Sequence, residues 1–138
     1  MTAVFSGQTK IKKLIGSNFL QLIATGKVEA YLVEENESRK KPGISGFPII
    51  RKGKPLTKEL RKQLVDTLRN DASYDFGNEK ECAFKPSLAF SFTRDKRSAN
   101  VLVCFSCKEV MFDTKGRSEI EDIDTVIPVF EKLKNELF

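Results

Sequence analysis

Apolar positions along this chain follow two rhythms. In residues 8–24, Ile11, Leu14, Ile15, Phe19, Leu22 and Ile23 recur at three- and four-residue spacing. That spacing predicts one amphipathic helix, weakened at Gly16, where glycine costs a helix about 1 kcal/mol relative to alanine. Thr25-Gly26 closes it. From 28 to 33 the rhythm changes: Val28, Ala30 and Leu32 alternate with Glu29, Tyr31 and Val33, the pattern of a half-buried strand. A polar connection with Pro and Gly follows over residues 34–47, then a short extended "FPII" and a turn at "RKGKP". Thr57 is placed to cap a second helix. Leu60, Leu64 and Leu68, with Val65 beside them, form a single apolar stripe, so this helix lies on the surface of something larger. Residues 70–81 read as a loop.

The last third returns to alternation. Leu88, Phe90 and Phe92 share one face of a strand, and Ala89 and Ser91 the other. A charged turn over 93–100 leads to "VLVCFSC" and then to a third run, "KEVMFD". A hairpin with Phe92 opposite Val101 sets Phe90 against Val103 and Leu88 against Phe105. All six then occupy one buried face, and Cys104 falls on the other, opposite Ala89. A last helix is predicted over about 125–137, with Pro128 in its first turn and Val126, Phe130, Leu133 and Leu137 on its apolar face. Together these elements predict one α+β domain over residues 1–138. Its antiparallel sheet has about four strands, with three helices mainly on one face.

Composition sharpens this in two places. Eleven Phe and no Trp point to a core of Phe, Leu, Ile and Val. The chain has no His. That excludes Ser-His-Asp and Cys-His catalysis and removes the commonest general base and zinc ligand. Acid–base chemistry would fall to carboxylates, Lys or Tyr alone, so the reading leans away from an enzyme and toward a binding or interaction domain. The expected partner is a protein, and no cofactor is expected.

Charge supplies a second candidate surface. With 24 basic and 19 acidic residues the chain carries +5. Between residues 39 and 62 only Glu59 opposes a run that contains Arg51, Lys52, Lys54, Lys58, Arg61 and Lys62. Such a patch can hold phosphates, so nucleic-acid binding stands as an alternative, although a solvated loop and helix face explains it more simply. "EIEDID", residues 119–124, has the carboxylates for a hard cation but not the ligand rhythm of a calcium loop. An acidic lead-in to a helix N-terminus accounts for it.

Cys82, Cys104 and Cys107 are the remaining candidate chemistry. On a regular strand positions 104 and 107 point to opposite faces. Four states compete: buried thiols, a disulfide from Cys82 to Cys104 or Cys107, a redox-active C-x-x-C, or a zinc site. The zinc site would need a fourth ligand, with Glu81, Glu109 and Asp113 nearby. An odd cysteine count fits a reducing compartment or one bridge plus a free thiol. No window is apolar enough to span a membrane. Residues 10–30 mimic a signal segment, but Gly16, Ser17, Asn18 and Gln21 interrupt its apolar stretch. The expected place is the cytoplasm, with a periplasmic or exported location if a signal segment was removed.

The spacing Lys80-x-Cys82-x-Phe84-x-Pro86-x-x-Ala89-x-x-Phe92, followed by Val101-Leu102-Val103-Cys104-Phe105-Ser106-Cys107, resembles a family of small uncharacterised bacterial proteins. The segment "GFPIIRKGKPLTKELRKQLVDTLRNDASYDF" before it resembles the same family, so the likeness spans roughly residues 46–112. It implies that Cys82, Cys104 and Cys107 form one feature, and it supplies no substrate or activity. Some members look exported or lipid-anchored.

Overall fold

The computed structural model describes residues 9–78, 80–114 and 117–138. Helix α1 (Thr9–Ile15) and helix α2 (Ser17–Thr25) replace the single helix expected over 8–24, whose first residue lies outside the described ones. The break is Gly16, at φ 90° and ψ 156°, a backbone region that costs an L side chain dearly. The Asp71 carboxylate accepts the backbone N–H groups of Lys10 and Ile11 at 2.9 and 2.8 Å, and so satisfies the first turn of α1.

Strands β1 (Lys27–Val33), β2 (Gly43–Ile44) and β3 (Phe47–Lys52) precede helix α3 (Lys58–Arg69). Thr57 caps α3 as predicted, its Oγ1 accepting the Leu60 N–H at 3.1 Å. Leu64, Val65 and Leu68 are its buried stripe. Strands β4 (Leu88–Arg94), β5 (Arg97–Cys104), β6 (Glu109–Thr114) and β7 (Arg117–Asp122) form a meander before helix α4 (Ile127–Leu137).

All seven strands join one curled, half-barrel antiparallel sheet of order β2-β3-β1-β4-β5-β6-β7. This overturns the expected sheet of four strands with three helices: among the described residues there are seven strands and four helices. The strands missing from the expected sheet are β2, β7 and β3, of which only the short extended "FPII" at the start of β3 was expected. β3 carries Pro48 and four exposed residues, and five of the six residues of β7 are polar or charged. A strand at or near the sheet's margin with a partly wetted face loses the alternation that marks a buried one.

The hairpin between β4 and β5 also corrects the expected register. Arg94 pairs with Arg97, so the loop is only Asp95-Lys96, and Asp95 takes φ 56° as a two-residue hairpin turn requires. Phe92 therefore faces Ala99, Phe90 faces Val101, and Leu88 faces Val103. The slip from the predicted pairing is two residues, an even number, so every side chain keeps its predicted face.

Two cores result. The larger joins Leu88, Phe90, Phe92, Val101, Val103 and Phe112 of the sheet to α1–α4, with Ile11, Ile23, Leu64 and Phe130 among the fully buried residues. The smaller lies on the other face, where Val33, Phe47, Ala89 and Leu102 pack with Phe84 and Met111.

Candidate functional site

The described residues between Tyr74 and Ser87 form no helix or named strand, and several contacts hold them. The buried Tyr74 hydroxyl donates to the Leu68 carbonyl at 2.6 Å, and burial pushes that phenol well above its ordinary pKa. Asp75 makes a single β-bridge to Asp122. Further along, Cys82 is bonded to Cys107, with Cα atoms 5.9 Å apart across 25 residues of chain. Cys107 sits in the turn between β5 and β6, where Lys108 takes φ 55°.

Cys104 is outside that bond. Its thiol is free and buried, at the last position of β5. Its Sγ lies 3.4 Å from the backbone N–H groups of Lys85 and Cys107, and 3.4 Å from the Ser106 hydroxyl. The three cysteines are close in the chain's path, but they are one disulfide and one packed thiol, which corrects the expected Cys82/Cys104/Cys107 cluster. Among the described residues no three His, Cys, Asp or Glu side chains converge as a metal site would require.

Beside the disulfide is a polar knot that the sequence did not reveal. The Lys80 ammonium donates to the Cys107 carbonyl at 2.8 Å, to Asp124 at 2.7 Å and to the fully buried Asp122 at 3.1 Å. Asn78 donates to the other oxygen of Asp122, while the Asp124 N–H donates at 2.9 Å to the same oxygen as Lys80. Burial alone would raise the Asp122 pKa. The hydrogen bonds from Asp124, Lys80 and Asn78 outweigh it and hold the carboxyl below its ordinary range. Burial likewise opposes the Lys80 charge, and the two aspartates overcome it, so its pKa is raised. Glu109, directly across the sheet from Asp122, is buried without such donors. Desolvation raises its pKa, and Lys80 only partly offsets that. "EIEDID" is thus the end of β7 and its exit, with Asp122 turned inward.

The predicted basic patch divides along β3 and α3. Arg51 donates to the Phe138 carbonyl at 3.1 Å, with its guanidinium 5.5 Å from that ring's centre. Lys52 pairs with Glu29 at 2.6 Å, and that contact lowers the Glu29 pKa. Lys62 pairs with Asp66 one turn along α3 at 2.6 Å. Arg61 donates to the carbonyls of Ala24 and Gly26 at 3.0 Å each and so closes the end of α2. Lys52, Lys54 and Arg61 line one cleft of about 430 Å³, joined there by Lys27; Arg51, Lys58 and Lys62 do not line it.

A larger cleft, about 600 Å³, opens between α2 and the hairpin ends of the sheet. Ile15, Phe19 and Leu22 form its floor, and Lys96, Arg97 and Arg117 its rim. The "TRDKRSAN" turn was the available signal for it, but only the fold brings Arg117 and α2 alongside. No helix among the described residues is long and apolar enough to cross a membrane.

No family model matches this chain, and no curated protein does. Among solved structures it is similar to a putative lipoprotein from Clostridium perfringens, with a TM-score of 0.51 and 11% identity over 88% of this chain and 90% of the other. At that identity the likeness is one of fold.

Proposed function

We propose that this chain is a non-catalytic binding domain of an exported protein, recognising a protein partner in an oxidising compartment. The observation that carries this reading is the Cys82–Cys107 bond. Disulfides persist outside the reducing cytoplasm and are rare within it. The remaining cysteine is packed in the interior rather than presented to solvent, as a structural thiol is. Lys80, Asp122 and Glu109 spend their interactions on one another and on the turn that holds Cys107. They serve the scaffold. The putative lipoprotein that shares the fold points to the same side of the cell envelope.

The test is a thiol count on protein recovered without reductant from the cell that makes it. The expected result is one titratable thiol after denaturation and three after reduction, with no thiol reacting in the native state. Three reactive thiols before reduction would overturn the reading.

A further inference from the structure

The β4–β5 and β6–β7 hairpins diverge at one end of the sheet. β5 pairs with β6 from Cys104 back to Asn100, opposite Asp113, and no further. Beyond that pair β5 runs on beside β4 to Arg97, and β6 runs on beside β7 to Thr114. Ser98 and Ala99 therefore have no partner strand on the β6 side. Among the described residues one side-chain bond, from the Thr114 hydroxyl to the Ser98 carbonyl at 3.4 Å, crosses the gap. Ile15 of α1 and Phe19 and Leu22 of α2 close its base, and together they make the cleft of about 600 Å³. The Phe19 ring is fixed there edge-on against Phe112, with 5.7 Å between centres. Each of the three floor residues is only 6% exposed. The floor is thus a slot, which a slender chain reaches and a broad protein surface does not.

The rim is cationic and crowded. Arg94 stands directly opposite Arg97, with Asp95 and Lys96 in the turn between them, and like charges facing each other across a strand pair are destabilising. Arg94 turns away to the Thr25 hydroxyl at 2.7 Å. Arg117 is taken up by the Leu14 carbonyl and by Glu119 at 3.6 Å. The side chains of Lys96 and Arg97 have no ion pair or hydrogen bond to any described residue, and both line the cleft. They are the cations left for a ligand. The Asp113 carboxylate also lines the cleft, where it accepts the Ser118 hydroxyl at 2.7 Å. Its charge opposes a dianion more than a monoanion.

We propose that this cleft binds a small amphiphilic carboxylate, with its head on Lys96 and Arg97 and its apolar tail in the slot over Phe19 and Leu22. A guanidinium receives a carboxylate through two parallel N–H bonds. The cleft's volume falls within the roughly 300–1,000 Å³ of small-ligand sites, which likewise combine apolar walls with a few placed polar groups. This site is separate from the disulfide, so the thiol count and the ligand test fail or succeed independently.

An amide NMR titration of the full chain with decanoate, below its micelle-forming concentration, tests the proposal. The expected result is saturable shifts at Asn18, Phe19, Ser98 and Ala99, with a Kd below about 1 mM. Acetate, which lacks the tail, and decyltrimethylammonium, which reverses the charge, should each bind at least about tenfold more weakly. Lys96→Ser combined with Arg97→Ser should weaken decanoate binding by about tenfold or more. Asn18→Trp, on the cleft wall, should weaken it by filling the slot. Lys54→Ser, in the smaller cleft, should change nothing. All of these positions are exposed, and unaltered amide shifts away from the cleft establish that each variant is folded. No saturable shift, shifts that map to Lys52, Lys54 and Arg61 instead, equal binding of the cationic amphiphile, or unchanged affinity in either cleft variant would each overturn the proposal. Binding to anionic lipid vesicles without decanoate binding would assign the rim to a membrane surface and overturn it as well.

Discussion

The centre and the ends of this sheet obey different rules. β4 and β5 are covered on both faces, by the helices on one side and by Phe47 and Phe84 on the other. There Leu88, Ala89, Phe90, Phe92, Val101, Leu102 and Val103 are essentially inaccessible to solvent. β7 ends the sheet, β3 is covered by the two-residue β2 only at Phe47 and Pro48, and both strands carry charged residues. The centre is where burial stabilises the fold, and the ends hold the exposed Ile49, Ile50 and Ile120. A residue's position across the sheet therefore says more about its effect than its hydrophobicity does.

The sharpest test of that contrast is truncation at the centre. Phe90→Ala removes a fully buried ring packed against Phe130 and is expected to cost about 3–5 kcal/mol in urea unfolding. Next comes the disulfide. Cys82→Ser with Cys107→Ser opens a 25-residue loop, with an expected loss of about 3 kcal/mol, reproduced by reductant in the parent but not in the variant. Asp122→Asn removes the charge that Lys80, Asn78 and the Asp124 N–H share and is expected to cost about 2 kcal/mol at neutral pH. Because the Asp122 pKa is depressed in the fold, its contribution is present above the ordinary aspartate range. It fades as pH falls through the lowered value. The difference between parent and variant should shrink over that acid window.

Glu109 carries the opposite sign. Its pKa is raised on folding, so its ionised form opposes the fold at neutral pH and the opposition vanishes once it is protonated in both states. Glu109→Gln should therefore raise the urea midpoint at pH 7, with the gain lost as pH drops below about 4.3. The smallest expected effect is at the sheet's ends. Ile50→Ser and Ile120→Ser should each change stability by less than about 0.5 kcal/mol. A large loss at either site would mean that the ends belong to the same cooperative core as the centre.

How much could be read from the chain follows the same division. The faces of β4 and β5 were legible despite a pairing two residues off, because face depends on parity and parity survives an even slip. α3 was legible because Thr57 and a leucine stripe act locally. Gly16 was noticed as a weakness, but a lone glycine does not announce whether a helix bends through it or ends there. β7 was illegible as a strand, and β3 legible only as the short extended "FPII", because their partners more than their composition make them strands.

What the sequence alone determined is therefore the local and the periodic: the caps, the buried faces, a phenylalanine-rich core and the exclusion of histidine chemistry. Tertiary structure decided the rest. It chose Cys107 over Cys104 as the partner of Cys82, since a disulfide needs two Cα atoms within reach and those distances come from the packed turn. It turned Asp122 inward onto Lys80, across 42 residues of chain. It also carried β3 and β7 to opposite ends of one sheet. Contacts between distant segments depend on where the whole chain collapses, and no local pattern encodes that.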